Sequence, residues 1–274
     1  KTIIGLLIGE FRRRKYKEKV VYVCPNNQLV NQVAETAEKK YGISVTTFTG
    51  SKMEYNPQDK SKYLQSASMA VTNYSSIFNV NSYFSDADVL IFDDTHSADG
   101  YIANNWALNI NRYNDKDLFY QLLSTMKLII SESDYDRMLS ETITEEDKNW
   151  CDLLPVLQLK TIEASVKSQI DNYVQNTDMY YSWSKIRDNL LACNVYLSKN
   201  DIYIRPIIPP TQSLETFSNP KQRIYMSATL GNSGELERSM GVSKIKRLNL
   251  NKEDSITTIG RRYFVFPGAS FNEE

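Results

Sequence analysis

The residues best suited to chemistry stand where an apolar run ends. Val89 to Phe92 has the pattern of a buried strand, and it stops at Asp93-Asp94-Thr95-His96. In open α/β sheets, ligands bind at the carboxyl ends of the strands. A carboxylate at Asp93 can hold the magnesium of a nucleotide, since Mg²⁺ takes hard oxygen ligands and keeps several waters. Asp94 beside it can orient or deprotonate an attacking water. The same four residues also describe an ordinary acidic turn, and a lone histidine such as His96 is more often structural. Lys1-Thr2, ahead of the apolar stretch Ile3 to Ile8, has the form of the end of a phosphate loop. There the lysine reaches the β- and γ-phosphates and the hydroxyl ligates Mg²⁺. Ser227-Ala228-Thr229-Leu230 follows another apolar run; its hydroxyls can bridge neighbouring polar groups or simply make a turn.

The elements that must position these residues alternate. Ile3 to Phe11 reads as a helix, and the basic run Arg12 to Lys15 as its solvated end, where cations suit the macrodipole. Lys19 to Cys24 reads as a strand of a parallel sheet, buried on both faces; Ser44 to Phe48, Ala70 to Thr72 and Asp88 to Phe92 read as further strands, and Arg223 to Met226 as another buried one. Asn27 to Lys39 reads as a helix between the first two. The middle differs. Asp115 is placed to cap a helix carrying Leu118, Leu122 and Met126. Leu159, Ile162, Val166, Ile170 and Tyr173 fit a second helix, and Trp183, Ile186 and Leu190 a third. No strong strand is expected between Asn114 and Cys193. Val195 to Leu197 and Ile202 to Ile204 flank turn residues as a hairpin. The expected class is α/β: a parallel sheet interrupted by a mainly helical insert.

The chain of 274 residues has 41% hydrophobic residues and a net charge of −1, so nucleic-acid contacts must come from local features. No apolar run approaches a membrane span, and no secretory signal is visible; a cytoplasmic location is the default expectation. Cys24, Cys151 and Cys193 fit no zinc or cluster spacing and read as small buried thiols.

Taken together, Lys1-Thr2, the segment Val21 to Val33 (VYVCPNNQLVNQV), Val71 to Phe78 (VTNYSSIF), Val89 to Ala98 (VLIFDDTHSA) and Ile224 to Leu230 (IYMSATL) resemble helicase motifs I, Ia, Ic, II and III, in that order. The chain resembles the first motor domain of superfamily 2 helicases of the D-[DE]-x-H type. Within them it looks most like the XPD/DinG branch, which also carries an arch of helices between motifs II and III. Here roughly 130 residues separate Asp94 from Ser227, far more than a simple loop needs.

The resemblance implies a RecA-like P-loop NTPase domain in residues 1–112, an arch-like insert in 113–194, and in 195–274 the rest of the motor domain, leading from Arg261 toward a second one. It implies ATP and Mg²⁺ as cofactors and single-stranded or partly duplex nucleic acid, DNA by branch, as partner. Lys1 would bind the phosphates; Thr2 and Asp93 would bind the metal. Asp94 would stand where the family has its catalytic Glu. His96 would couple the nucleotide to Ser227 and Thr229. Pro25, Asn26, Asn27, Gly50, Thr72 and Asn73 would contact the strand backbone, for which amides and short polar side chains suffice.

Three departures qualify this. Asp94 is one methylene shorter than Glu, so hydrolysis could be slow. No cysteine lies between Cys24 and Asp93, so no iron–sulfur cluster is expected. The phosphate-loop glycines and motifs IV to VI, with their arginine finger, are absent, so the chain is expected to be part of a longer protein and inactive alone. The alternative from another class is a nucleic-acid-binding scaffold with little or no ATP turnover; a small-molecule kinase ranks last. Tyr173, Tyr180, Tyr181 and Trp183 could stack bases, though at helical spacing such residues are more often core.

Overall fold

Five short runs of β-branched and aromatic residues assemble into one sheet; Val20–Cys24 and Val89–Asp93 are buried throughout, whereas Gln222–Met226, expected to be buried, is an edge strand that is only half-buried. The structure, a computed structural model, describes residues 1–227 and 233–248. In chain order, α1 (Thr2–Tyr16) leads to β1 (Val20–Cys24), α2 (Asn27–Tyr41), β2 (Val45–Phe48), α3 (Pro57–Leu64), β3 (Met69–Asn73), the one-turn α4 (Tyr74–Ile77) and β4 (Val89–Asp93). Then come α5 (Ala98–Asn105), β5 (Leu108–Asn111), α6 (Lys116–Met126), α7 (Glu132–Leu139), β6 (Cys151–Leu154), α8 (Val156–Val174) and α9 (Met179–Ile186). The hairpin β7 (Cys193–Ser198) and β8 (Asp201–Pro206) precedes α10 (Glu215–Ser218), β9 (Gln222–Met226) and α11 (Glu235–Met240).

Strands β2, β3, β1, β4 and β9 pair in that order, all parallel. Their carboxyl ends therefore share one edge of the sheet, and Cys24, Phe48, Asn73, Asp93 and Met226 end there. This is the expected α/β class with a parallel sheet. The core is built on β1 and β4, whose five residues each are fully or nearly fully buried.

Helix α1 lies unusually close to the sheet. A Cβ on Gly5 would meet Met226 Cε at 2.4 Å and Tyr22 Cε2 at 2.9 Å, and one on Gly9 would meet Met69 Sδ at 2.6 Å. A side chain at either glycine would have to displace these neighbours, so glycine eases the approach that carries the start of α1 to the ends of β1 and β9. The basic end of α1 is not simply solvated, as its composition suggested. Arg13 is buried; its guanidinium grips both oxygens of Glu10 at 2.7 and 2.8 Å and donates to the carbonyls of Ser66 and Ala67. Planar, multiply donating arginine suits such a site, where it locks α1 to the loop before β3.

The other strands form a separate antiparallel sheet, order β5-β8-β7-β6. Ile110, Val195, Leu197, Ile202 and Ile204 are buried on one face of it. Helices α6, α8 and α9 accompany this sheet and bury Leu122, Met126, Val166, Ile170 and Trp183. Two expectations change here. The stretch from Asn114 to Cys193 contains a strand, β6. The β7–β8 hairpin forms as expected and pairs with β5 and β6. Asp115 occupies the position before α6 but does not cap it; its carboxylate accepts from Asn111 N at 2.9 Å and Tyr173 OH at 3.3 Å.

Candidate functional site

Parallel pairing of β4 with β9 sets Asp93 beside Met226, so Ser227 follows immediately at the sheet edge. From the other side, α1 begins with Lys1 and Thr2. The three segments meet. Lys1 Nζ donates to Asp94 Oδ1 at 2.5 Å and lies 3.9 Å from Asp93 Oδ1. Thr2 Oγ1 donates to Asp93 Oδ2 at 3.4 Å. The free N–H groups and positive dipole end of a 15-residue helix open at the same point, a ready site for an anion.

Asp93 is nearly buried, at 8% exposure, and the protein holds it firmly. Tyr22 OH donates to its Oδ2 at 2.8 Å, and Tyr74 OH donates to its backbone carbonyl at 2.7 Å. Burial and, after it, the charge of Asp93 hold both phenols well above the ordinary tyrosine range, so they stay protonated donors. Asp93 Oδ1, by contrast, is buried without a hydrogen-bond partner. An orphaned carboxylate oxygen beside a threonine hydroxyl and an ammonium fits a hard cation with most of its ligands supplied from elsewhere. Among the described residues no cluster of three or more His, Cys, Asp or Glu side chains could hold a metal by itself.

Asp94 takes a left-handed backbone, φ 55° and ψ 47°, a conformation that Asp and Asn tolerate better than other side chains. The turn aims its carboxylate at Lys1 and lets the next two residues reach β9. Thr95, fully buried, donates through Oγ1 to Met226 O at 3.2 Å. His96 Nδ1 shares a hydrogen bond of 2.9 Å with Ser227 Oγ and lies 3.4 Å from Asp94 Oδ1. His96 thus stands between the second carboxylate and the strand end after β9. Thr229 lies outside the described residues, as does the stretch from Arg261.

The expected strand-contacting residues lie farther along the same edge, at the ends of β1, β3 and β2. Asn26 caps α2 by accepting from Leu29 N at 3.0 Å, and Asn27 Oδ1 accepts from Asn73 Nδ2 at 2.6 Å. Asn73 caps α4 through Ser76 N. Gly50 is exposed with φ 80°, and Pro25 is buried behind these residues. Thr72 does not join them. It is fully buried and donates to Phe48 O at 2.7 Å, so its hydroxyl faces the sheet rather than solvent. Of the proposed stacking aromatics, Trp183 is core, bonded through Nε1 to Asp171 at 2.7 Å, while Tyr180 and Tyr181 are exposed. Sequence reasoning missed Tyr22, Tyr74 and Thr95. Tyr22 read as an apolar strand residue and Tyr74 only as part of the segment Val71 to Phe78; the fold brings both hydroxyls to Asp93.

Fold and site define a RecA-like α/β domain whose sheet edge gathers a lysine, a threonine and paired aspartates. Residues 1–128, a little under half of the chain, match the DEAD/DEAH box helicase family. In fold the chain is similar to a structure of S. tokodaii Xpd4, at 14% identity and TM-score 0.45, with 85% of this chain and 52% of that one covered. An apo XPD structure matches at 13% identity and TM-score 0.47 over 89% of this chain and 51% of the other. A truncated XPD structure matches at 12% identity and TM-score 0.40 over 89% and 90%. The chain thus spans about half the length of the first two. Among curated protein sequences none matches. No helix among the described residues is long and apolar enough to cross a membrane.

Proposed function

We propose that this chain is the nucleotide-binding first motor domain of an ATP-driven helicase or translocase acting on nucleic acid, with DNA favoured by the resemblance to the XPD/DinG branch. The observation that carries the reading is the meeting of Lys1, Thr2, Asp93 and Asp94 at one sheet edge, within 2.5 to 3.9 Å of one another. Lys1 and the start of α1 bind the phosphates, exchanging the Asp94 contact for the nucleotide. Thr2 and Asp93 would hold Mg²⁺, which would supply charge neutralisation along the phosphates. Tyr22 keeps the Asp93 carboxylate oriented. Asp94, released from Lys1, positions the attacking water. His96 transmits the state of that carboxylate to Ser227. Asn26, Asn27, Asn73 and Gly50 offer short polar groups to a strand backbone, with Pro25 fixing the turn. Residues 113–194, with α6 to α9 and β6, form the arch-like insert.

The test is ATP hydrolysis by the full protein with and without single-stranded DNA. Stimulation should vanish in Lys1→Ala; stimulation that survives overturns the reading. The short Lys1–Asp94 contact also favours the second reading, a binding scaffold with little turnover, because Asp94 is engaged and a methylene short of Glu. Strand binding without measurable hydrolysis, unimproved by Asp94→Glu, selects it.

A further inference from the structure

The antiparallel sheet has a second face that the motor reading leaves without a task. Its registers place Asn109 opposite Tyr203, Tyr203 opposite Tyr196, and Tyr196 opposite Leu153. One row of side chains therefore crosses all four strands, with the two tyrosines on the central pair. Their ring centroids lie 6.3 Å apart at an interplanar angle of 39°. Both rings are fixed by their hydroxyls: Tyr196 OH accepts from Asn194 Nδ2 at 3.1 Å, and Tyr203 OH donates to Asn104 Oδ1 at 3.2 Å. Arg205, in the neighbouring row opposite Asn194, holds its guanidinium 5.8 Å from the Tyr196 ring centre. A cavity of about 370 Å³ opens here, lined by Cys151, Tyr196, Ser198, Asp201, Tyr203 and Arg205.

We propose that this face is a second single-strand site, on which two successive bases stack against Tyr196 and Tyr203 while Arg205 meets a backbone phosphate. Rings already held in place lose little freedom on binding, and every base has a face to offer them, so such platforms are sequence-tolerant. A sheet with aromatic residues on its central strands is a general solution for unpaired bases. The guanidinium beside the rings supplies the charge complementary to a phosphate. Asp201 does not oppose this. Its Oδ1 already accepts from Asn109 Nδ2 at 3.1 Å and Asn111 Nδ2 at 2.7 Å, which draws the carboxylate toward β5 and away from Arg205. The face is also tied to the motor, because Asn104 sits in the last turn of α5, the helix that begins two residues after His96.

This inference rests on the reading of the chain as a nucleic-acid motor, and the test separates the two. Affinity of the full protein for a labelled single-stranded oligodeoxynucleotide is measured by fluorescence anisotropy across a salt series. Tyr196→Ala and Tyr203→Ala should each weaken binding roughly tenfold, as loss of one stacked base does. Tyr196→Phe and Tyr203→Phe, which keep the rings, should stay within about twofold of the unaltered protein. Arg205→Ala should reduce the slope of log affinity against log salt by about 0.7, the value for one phosphate on a single strand. In the unaltered protein, a 5-iodouracil strand should photocross-link to Tyr196 or Tyr203. Unchanged affinity in both alanine variants, with cross-links only near Asn26 and Asn73, overturns this site while leaving the motor intact. A face that captures a protein partner instead of the strand also overturns it. No strand binding anywhere defeats both.

Discussion

Replacing Tyr22 with Phe removes a single oxygen, and the structure says what that oxygen does. It donates at 2.8 Å to a carboxylate that is 8% exposed; the other side-chain donor is Thr2 at 3.4 Å, and the Lys1 ammonium lies 3.9 Å away as an ion-pair partner. A hydrogen bond to a charged group contributes about 1.5–3 kcal/mol, and a carboxylate left underpaired in a buried place keeps its desolvation cost. The void is only the size of a hydroxyl, so the packing loss is small. Tyr22→Phe should therefore destabilise the protein by about 2 kcal/mol, equivalent to roughly 4–8 °C in melting temperature for a domain of this size. The assay is thermal and urea unfolding followed by circular dichroism, repeated in an Asp93→Asn background. If the account is right, most of the Tyr22→Phe effect disappears in that background, because the charge it served has gone. An equal loss in both backgrounds refutes the reasoning and makes Tyr22 merely a packing residue.

Two further outcomes follow from the same physics. Arg13→Ala leaves Glu10 buried with only the exposed Arg14 and frees two carbonyls, so a loss of about 3 kcal/mol is expected, and Arg13→Lys should recover less than half of it for want of a planar fork; urea midpoints check both. Alkaline stability should fall: burial first, then nearby aspartates, raise the folded pKa of Tyr22, Tyr63 and Tyr74 above the ordinary 10.0, so their contribution is complete below pH 10 and is lost as pH rises beyond it. Cys24, raised by burial and by Asp93 from an ordinary 9.0, adds the same sign, whereas Lys185 and Lys199, both lowered chiefly by burial, oppose it. Unfolding midpoints that hold steady from pH 9 to pH 11 would contradict this.

The parallel sheet was legible because its strands are continuous apolar runs, and the candidate site because each motif sits where such a run stops. Lys1, Thr2, Asp93, Asp94, His96 and Ser227 were all named from types and order, and the register brings them together. What escaped has physical reasons. β5 and β6 are four-residue edge strands, and Leu-Asn-Ile-Asn and Cys-Asp-Leu-Leu carry too few residues for alternation to stand out from a loop. Arg13 lay in a run of cations that local rules place in water, and only the loop before β3, dozens of residues away, makes its burial favourable. Thr72 shows the converse: its strand was read, but not that its hydroxyl turns inward to Phe48 O.

The site's role in holding a magnesium nucleotide is tested most directly by measuring the affinity of the full protein for a fluorescent ATP analogue with and without Mg²⁺, for the unaltered protein and for Asp93→Asn. Mg²⁺ should tighten binding to the unaltered protein by at least roughly tenfold, about 1.4 kcal/mol, and should do nothing for Asp93→Asn. The same Mg²⁺ enhancement in both proteins would contradict the account.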